Sequence, residues 1–346
     1  MRSRPSSPLL LGPTRREFLI GAGSLLLLGA AGCGTSGGTG NGGEEATSGA
    51  TRTIEHKYGR TKISGRPERV VSVGFNDQDP ILALGVKPVG VRDWIENRII
   101  WPWNQGEFGD TEPEILPMGE LNFEQIATLK PDLIVGMYSG ITKKEYETLS
   151  EIAPTITQSG KYQDFGVPWQ EQTRIIGQAL GREERANKLV AEVEGRFARA
   201  REENPEFEEA TGVVAYSFAP KDYGAYGTQD LRGRFLTSLG FELPPKIAEL
   251  TGDEFFTAIS GERLDLINAD VLVWILSVDG TRETVEKDPL YRKLDVASEE
   301  RAIFPGEELI GAISFSTILS LPFALDGLVP MLAAAVDGDP GTKTGE

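Results

Sequence analysis

Apolar and polar positions along this chain follow two periodicities that change over at recognisable points. Short runs rich in β-branched residues, Val70-Val71-Ser72-Val73, Pro88-Val89-Gly90-Val91, Leu133-Ile134-Val135 and Thr155-Ile156-Thr157, alternate with helix-like segments as far as residue 160. That alternation predicts a parallel sheet covered by helices. The pattern restarts after residue 210 with Gly212-Val213-Val214-Ala215-Tyr216 and continues through Val271-Leu272-Val273-Trp274-Ile275, so a second α/β unit is expected. Between them, Ala186, Leu189, Val190, Val193, Phe197 and Ala200 recur at spacings of three and four on a charged background, and Asn204-Pro205 ends the run. At 1.5 Å per residue, a helix from Glu183 to Glu203 would run about 30 Å, enough to cross from one unit to the other while permitting only limited rocking.

The two halves also echo each other. Glu124-Gln125-Ile126-Ala127-Thr128-Leu129-Lys130-Pro131-Asp132-Leu133-Ile134-Val135 matches Glu262-Arg263-Leu264-Asp265-Leu266-Ile267-Asn268-Ala269-Asp270-Val271-Leu272-Val273 in register, 138 positions on. Leu84-Gly85-Val86-Lys87-Pro88 is echoed by Leu239-Gly240-Phe241-Glu242-Leu243-Pro244. Two related lobes are the expectation. The paired glutamates have a purely local reading, in which Asn122 and Ser260 are helix N-caps, Gln125 completes a capping box and each carboxylate favours a helix dipole. They also have a functional reading, one carboxylate on the same edge of each lobe forming a docking surface for arginines of a partner. The two readings are compatible.

Ahead of the folded region stands Thr14-Arg15-Arg16-Glu17-Phe18-Leu19-Ile20, then an apolar run to Ala30-Ala31-Gly32-Cys33. Twin arginines before a segment too short for the roughly 20 residues of a bilayer span resemble a twin-arginine export signal, and small residues before cysteine resemble a lipoprotein processing site. Cys33 is the only cysteine. Lipidation would account for an unpaired thiol in an exported protein; the alternative is cleavage elsewhere and an inert thiol. Residues 34–51 are rich in Gly, Ser and Thr without apolar periodicity, which reads as a flexible tether. The expected organisation is a leader at 1–32, a tether at 33–52, an α/β lobe at 53–168, linking helices at 169–205 and a second α/β lobe at 206–340.

Charge narrows the function. The chain carries 35 Lys+Arg against 52 Asp+Glu, a net −17, and loss of the leader with Arg2, Arg4, Arg15, Arg16 and Glu17 leaves 31 against 51, a net −20. Such a surface argues against nucleic acid and against electrostatic adhesion to a membrane, so lipid must do the anchoring.

The run Pro67-Glu68-Arg69-Val70-Val71-Ser72-Val73, then Ile81-Leu82-Ala83-Leu84-Gly85-Val86-Lys87-Pro88-Val89-Gly90-Val91, then Leu121-Asn122-Phe123-Glu124-Gln125-Ile126-Ala127 up to Lys130-Pro131-Asp132-Leu133-Ile134-Val135, resembles the periplasmic-binding-protein family that captures iron-siderophores and cobalamin. Ile152-Ala153-Pro154-Thr155 and the stretch 176–193 resemble it too. The resemblance implies two Rossmann-like α/β lobes joined by one long helix. It implies a monomer that holds a ferric-siderophore in the cleft and delivers it to an ABC permease and ATPase complex, with Glu124 and Glu262 docking onto permease arginines. Cobalamin or haem is the alternative ligand of the same fold.

Residue chemistry prunes and locates the site. His56 is the only histidine, so a histidine-built metal site is excluded, while haem stays open because a tyrosine can serve as axial ligand. In open α/β sheets, ligands meet the loops at the carboxyl ends of strands. That rule selects Asn76, Asp77 and Gln78 after the first strand, Arg92, Asp93 and Trp94 after the second, and Tyr138, Ser139 and Thr142 after the third. In the second lobe it selects Tyr223, Tyr226, Arg232, Arg234, Trp274 and Phe315. Aromatic rings offer flat apolar area to a siderophore and guanidiniums can satisfy its anionic oxygens, with Tyr138 and Arg92 the leading candidates. Trp101 and Trp103 read as a loop clamp or as ligand contacts, Trp274 as cleft or core, and Arg234 as cleft or helix surface. Where related hydroxamate-binding members carry an arginine, this chain has Pro117-Met118-Gly119-Glu120, so hydroxamate specificity is not carried over.

An enzyme is the competing class. The one Gly-x-Ser-x-Gly match, Gly34-Thr35-Ser36-Gly37-Gly38, falls in the tether without the strand-to-helix context of a nucleophile elbow, and one histidine beside the tether makes a serine or cysteine nucleophile improbable, which leaves an exported carboxylate-dependent hydrolase as the enzymatic alternative. A surface adhesin would not need duplicated lobes with aromatic cleft residues.

Overall fold

Two five-stranded sheets organise the chain, and each contains the strands that the apolar runs predicted. The computed structural model describes residues 51–95, 98–219, 221–276 and 281–337. The predicted leader, Cys33 and nearly all of the tether lie outside these residues. Among them, no helix is long and apolar enough to cross a membrane.

An antiparallel hairpin, β1 (Thr51–His56) and β2 (Gly59–Ser64), opens the described chain. It was not expected, since its alternating polar and apolar positions abut the tether composition, and β1 takes up the last two residues assigned to that tether. His56 is buried within it, its Nε2 2.9 Å from the Thr61 hydroxyl and 3.4 Å from that of Tyr146.

The first sheet comprises β3 (Val70–Ser72), β4 (Gly90–Arg92), β5 (Glu114–Leu116), β6 (Leu133–Gly136) and β7 (Thr155–Thr157). All neighbours pair in parallel, in the order β5-β4-β3-β6-β7. The second comprises β8 (Gly212–Ala219), β9 (Asp222–Tyr226), β10 (Phe256–Ile259), β11 (Val271–Leu276) and β12 (Ala302–Ile303), in the order β10-β9-β8-β11-β12. The spatial order is the same in both lobes. The direction is not: β9 runs antiparallel to both β8 and β10. Only two residues separate β8 from β9, and a connection that short cannot make the crossover a parallel pair requires.

Both sequence echoes mark equivalent structures. Asp132 receives the backbone N–H groups of Glu68 and Arg69, at 2.9 and 3.0 Å, just before β3. Asp270 receives the N–H and hydroxyl of Thr211, each at 2.7 Å, just before β8. In each lobe the aspartate ahead of one central strand thus clamps the start of its parallel neighbour. The second echo is a helix stop: Gly85 (φ 80°) and Gly240 (φ 107°) take the positive φ that lets a helix end. The next residue's N–H then reaches back five positions, from Val86 to Ile81 and from Phe241 to Leu236.

The linking helix spans Glu183–Glu203, as its periodicity predicts. Ala186 packs into the core of the first lobe with Val70, Leu133 and Ile176, whereas Val190, Val193, Phe197 and Ala200 pack into that of the second with Val214, Val271 and Leu332. One apolar stripe therefore serves two cores. Each large side chain buried this way contributes about 1.5–3 kcal/mol.

Candidate functional site

The first lobe presents the loops after β3 and β6, the strands between which the sheet order reverses. Asp77 holds them together. Its buried carboxylate accepts the N–H of Met137 at 2.7 Å, that of Tyr138 at 3.2 Å and the Gln172 amide at 2.6 Å. Burial pushes this carboxyl up to about 6, against the downward pull of those hydrogen bonds. The result is a fixed position for Tyr138, whose ring meets Phe165 edge-on at 5.2 Å and lies 6.2 Å from Trp94.

Tyr138 and Phe165 form one wall of a cavity of about 430 Å³. The opposite wall belongs to the second lobe, with Tyr216, Phe218, Tyr226 and Phe256 from β8, β9 and β10, next to Phe255. Tyr216 and Phe218 stack at 4.7 Å and 10°, and Phe256 stands edge-on to Tyr216 at 5.9 Å. Phe218 is 41% and Phe256 54% exposed, so two phenyl rings at the mouth offer apolar surface to whatever enters.

The charged lining is Asp222, Asp230 and Arg232. Asp230 caps the helix Leu231–Ser238 by accepting the Arg232 N–H at 2.8 Å. The Arg232 guanidinium then folds back, Nη1 lying 3.1 Å from both Asp230 oxygens, Nε donating to Ser314 Oγ at 3.2 Å, and the plane resting 4.6 Å from the Tyr226 ring centre. Burial works against this charge, but Asp230, Tyr226 and Tyr138 together raise its pKa. Burial pushes Tyr226 up to about 12 and Tyr138 higher still. Both rings thus keep their protons at neutral pH and supply apolar faces and hydroxyls, not phenolate charge.

Of the residues selected from sequence, Tyr138, Tyr226 and Arg232 meet in this cavity, and the others lie elsewhere. Trp94 and Phe315 pack 5.0 Å apart behind Tyr138. Arg92 is drawn away by backbone carbonyls, donating to Val73, Met118 and Gly119 at 3.3, 3.0 and 2.7 Å while stacking 4.4 Å from Phe75. Asn76 is buried between lobes, donating to the Phe315 carbonyl at 2.9 Å and accepting from Gln172 at 2.7 Å. Ser139 donates to the Gly136 carbonyl at 2.8 Å, Asp93 accepts from the Ile95 N–H, and Gln78 is buried in its helix. Thr142 caps the helix Lys143–Ile152 in a capping box with Glu145. Arg234 reaches across to the Gly166 carbonyl at 2.8 Å and lines a separate cavity of about 230 Å³ with Trp169 and Phe197.

Tyr223 departs furthest from the expectation, and Trp274 takes the core side of its two readings. Trp274 lies in the predicted strand and Tyr223 in a strand that was not expected, both buried in the core of the second lobe, with the Tyr223 hydroxyl 3.1 Å from Asp288. Residues three apart on a strand face opposite sides, so Tyr223 points inward where Tyr226 points to the cavity. Trp101 and Trp103 form the loop clamp, stacked at 4.9 Å and 12°, with Trp103 Nε1 donating to Asp79 at 2.9 Å. Sequence reasoning missed Phe165, Tyr216, Phe218, Asp222, Asp230, Phe255 and Phe256. Tyr216 and Phe218 carried a signal, since they alternate at the carboxyl end of a predicted strand, and Asp230 stands two residues before Arg232.

Glu124 is exposed in the first turn of the helix Phe123–Thr128, and Glu262 is exposed in the first turn of the 3-10 helix Gly261–Ile267. Asn122 does cap its helix, accepting the Gln125 N–H at 3.0 Å. Ser260 makes no such bond, and the Gln125 side chain turns to Glu114 at 2.8 Å instead of closing a capping box.

Two α/β lobes, a single long helix shared by both cores and an aromatic cavity walled by each lobe define a two-lobed binding protein. The periplasmic binding protein family matches residues 71–306, and the chain belongs to that family. Over 239 residues it is 30% identical to the probable siderophore-binding lipoprotein YfiY of Bacillus subtilis, covering 66% of this chain and 70% of the relative. It superposes with TM-score 0.75 on a periplasmic solute binding protein from Mycobacterium smegmatis, at 34% identity over 83% of this chain and 99% of the other. The complex of PiaA from Streptococcus pneumoniae with ferrichrome superposes with TM-score 0.70, at 28% identity over 83% of this chain and 99% of PiaA.

Proposed function

We propose that this chain is the extracytoplasmic substrate-binding lipoprotein of an ABC importer, taking a ferric siderophore into the interlobe cavity and handing it to a permease and ATPase complex. The observation that carries the reading is the cavity itself. Tyr138 and Phe165 face Tyr216, Tyr226 and Phe256 across a space of about 430 Å³, so the ligand joins the two lobes. The relatives named above, which include a siderophore-binding lipoprotein and a ferrichrome complex, point the same way. The chemistry is capture and release, with no bond made or broken on the ligand.

Delivery rests on the rest of the chain. The twin-arginine leader and Cys33 supply export and a diacylglycerol anchor, the tether gives reach above the membrane, and the monomer docks through Glu124 and Glu262. Both carboxylates are exposed, one on each lobe, as a two-point contact with permease arginines requires.

Titration of the purified protein with ferric chelates, read by tryptophan fluorescence, tests capture. Trp94 lies 6.2 Å from Tyr138, close enough to report an iron chelate bound against that ring. Saturable quenching by a ferric siderophore, and none by iron-free chelator, is expected. Silence towards hydroxamate, catecholate and citrate complexes alike, or quenching by cobalamin or haem alone, would end this reading.

A further inference from the structure

The lining of the cavity sets the charge of what it accepts. Among the described residues, seven of its ten lining residues are aromatic, and the one cation, Arg232, is bonded to Asp230 through both carboxylate oxygens. Its Nε is taken by Ser314. The charge is thus paired, and Nη2 is the guanidinium nitrogen left for a ligand oxygen. The other arginines selected from sequence do not compensate. Arg92 and Arg234 are held by the carbonyls of Val73, Met118, Gly119, Thr228 and Gly166, and neither lines the cavity. Asp222, the first residue of β9 and next to Lys221, adds a carboxylate without an ion pair among the described residues. The walls thus hold two carboxylates against one guanidinium, inside a chain whose net charge is −17.

Resting on the siderophore reading above, we propose that the cavity selects ferric chelates that are neutral or singly positive and discriminates against polyanionic ones, with Asp230 as the specificity-determining residue. A neutral or weakly cationic chelate presents an apolar, polarisable surface to the rings, and the offset and edge-on faces of Tyr138, Tyr226 and Phe256 match it without requiring a free cation. A polyanion would have to enter an apolar space in which the one described cation is paired with Asp230, so a single guanidinium nitrogen faces several anionic oxygens and their desolvation is not offset.

The test is a binding series on the mature chain, read by tryptophan fluorescence at two salt concentrations. Its probes are ferrichrome as a neutral tris-hydroxamate, a singly positive linear ferric tris-hydroxamate, ferric dicitrate and a trianionic ferric tris-catecholate. The neutral and cationic chelates should bind at least about tenfold tighter than either polyanion, and added salt should leave unchanged or strengthen polyanion binding, because screening removes repulsion. Asp230→Asn should narrow the gap by about tenfold by freeing Arg232. If that variant loses its cooperative unfolding, Asp222→Asn at the exposed rim should shift the same ratio in the same direction by a smaller factor. Equal or tighter binding of a polyanion, weakened by salt, overturns the charge assignment and leaves siderophore capture standing. Failure of every chelate to bind overturns siderophore capture itself.

Discussion

A methyl group added at Gly224 would stand 2.1 Å from Cζ of Tyr216 and 2.3 Å from its hydroxyl oxygen. Gly224 pairs with Tyr216 across β8 and β9, so the ring lies over the gap where a side chain would be. Gly224→Ala should therefore lower stability by about 1–3 kcal/mol in urea unfolding and weaken ligand binding, because Tyr216 must leave the cavity wall. An unchanged affinity would mean that this ring is not part of the binding surface. The same strand shows what the sequence concealed. Asp222-Tyr223-Gly224-Ala225-Tyr226 has no β-branched residue, and Asp, Gly and Ala offset the strand preference of its two tyrosines, so without a strand Tyr223 and Tyr226 could not be assigned to opposite faces. Asp79 carries a second prediction at this scale. Burial raises its carboxyl to about 6, against hydrogen bonds from Asn104, Thr317 and Trp103. A group that holds its proton more tightly when folded contributes stability that is complete below the unfolded carboxylate pKa and is lost as pH rises through about 6. Relative to Asp79→Asn, which keeps the shape without the titration, the natural protein should gain about 1 kcal/mol on going from pH 7 to pH 5. A pH-independent difference between the two proteins would contradict the raised pKa.

Elements were legible where one periodicity ran long enough to be read. The linking helix was, because its stripe of apolar residues persists over 21 residues and ends at Asn204-Pro205. The parallel central strands were, because burial on both faces demands continuous β-branched runs. Edge and near-edge elements were not: β5, β10 and β12 are two to four residues long with partly exposed faces, and the hairpin of β1 and β2 alternates polar residues into solvent. The strongest element-level signal was the repeated aspartate before β6 and β11, and its physical basis is the clamp on the neighbouring strand. Asp132→Ala and Asp270→Ala should each cost about 1.5–3 kcal/mol, the range for hydrogen bonds to a charged acceptor. Because the clamps sit in different lobes, the double substitution should be additive within about 0.5 kcal/mol in chemical denaturation. Strong non-additivity would show instead that the two clamps are energetically coupled across the shared helix.

At the scale of the molecule, the surfaces proposed for capture and for delivery are different ones. The proposed ligand contacts converge on the cavity between Tyr138 and Tyr226, whereas Glu124 and Glu262 stand exposed at the starts of two short helices and line neither cavity described above. The glutamates were legible as a pair because they belong to a repeated pattern, while the cavity is assembled from rings of five separate segments brought together only by folding. Local reasons for the glutamates are weaker than the pattern suggested. Ser260 provides no cap and the Gly261–Ile267 segment is a 3-10 helix, so Glu262 has little dipole to stabilise. A surface carboxylate that contributes little to its own helix is free to serve a partner. Glu124→Lys with Glu262→Lys should leave ferric-siderophore affinity within about twofold, since charges this exposed are screened from the cavity, yet reduce siderophore-dependent iron uptake by cells at least about tenfold. Each single reversal should give an intermediate uptake defect if the two lobes dock through separate contacts. Normal uptake by the double variant would remove the glutamates from the docking surface, while a parallel loss of affinity would show that they act on the lobes themselves.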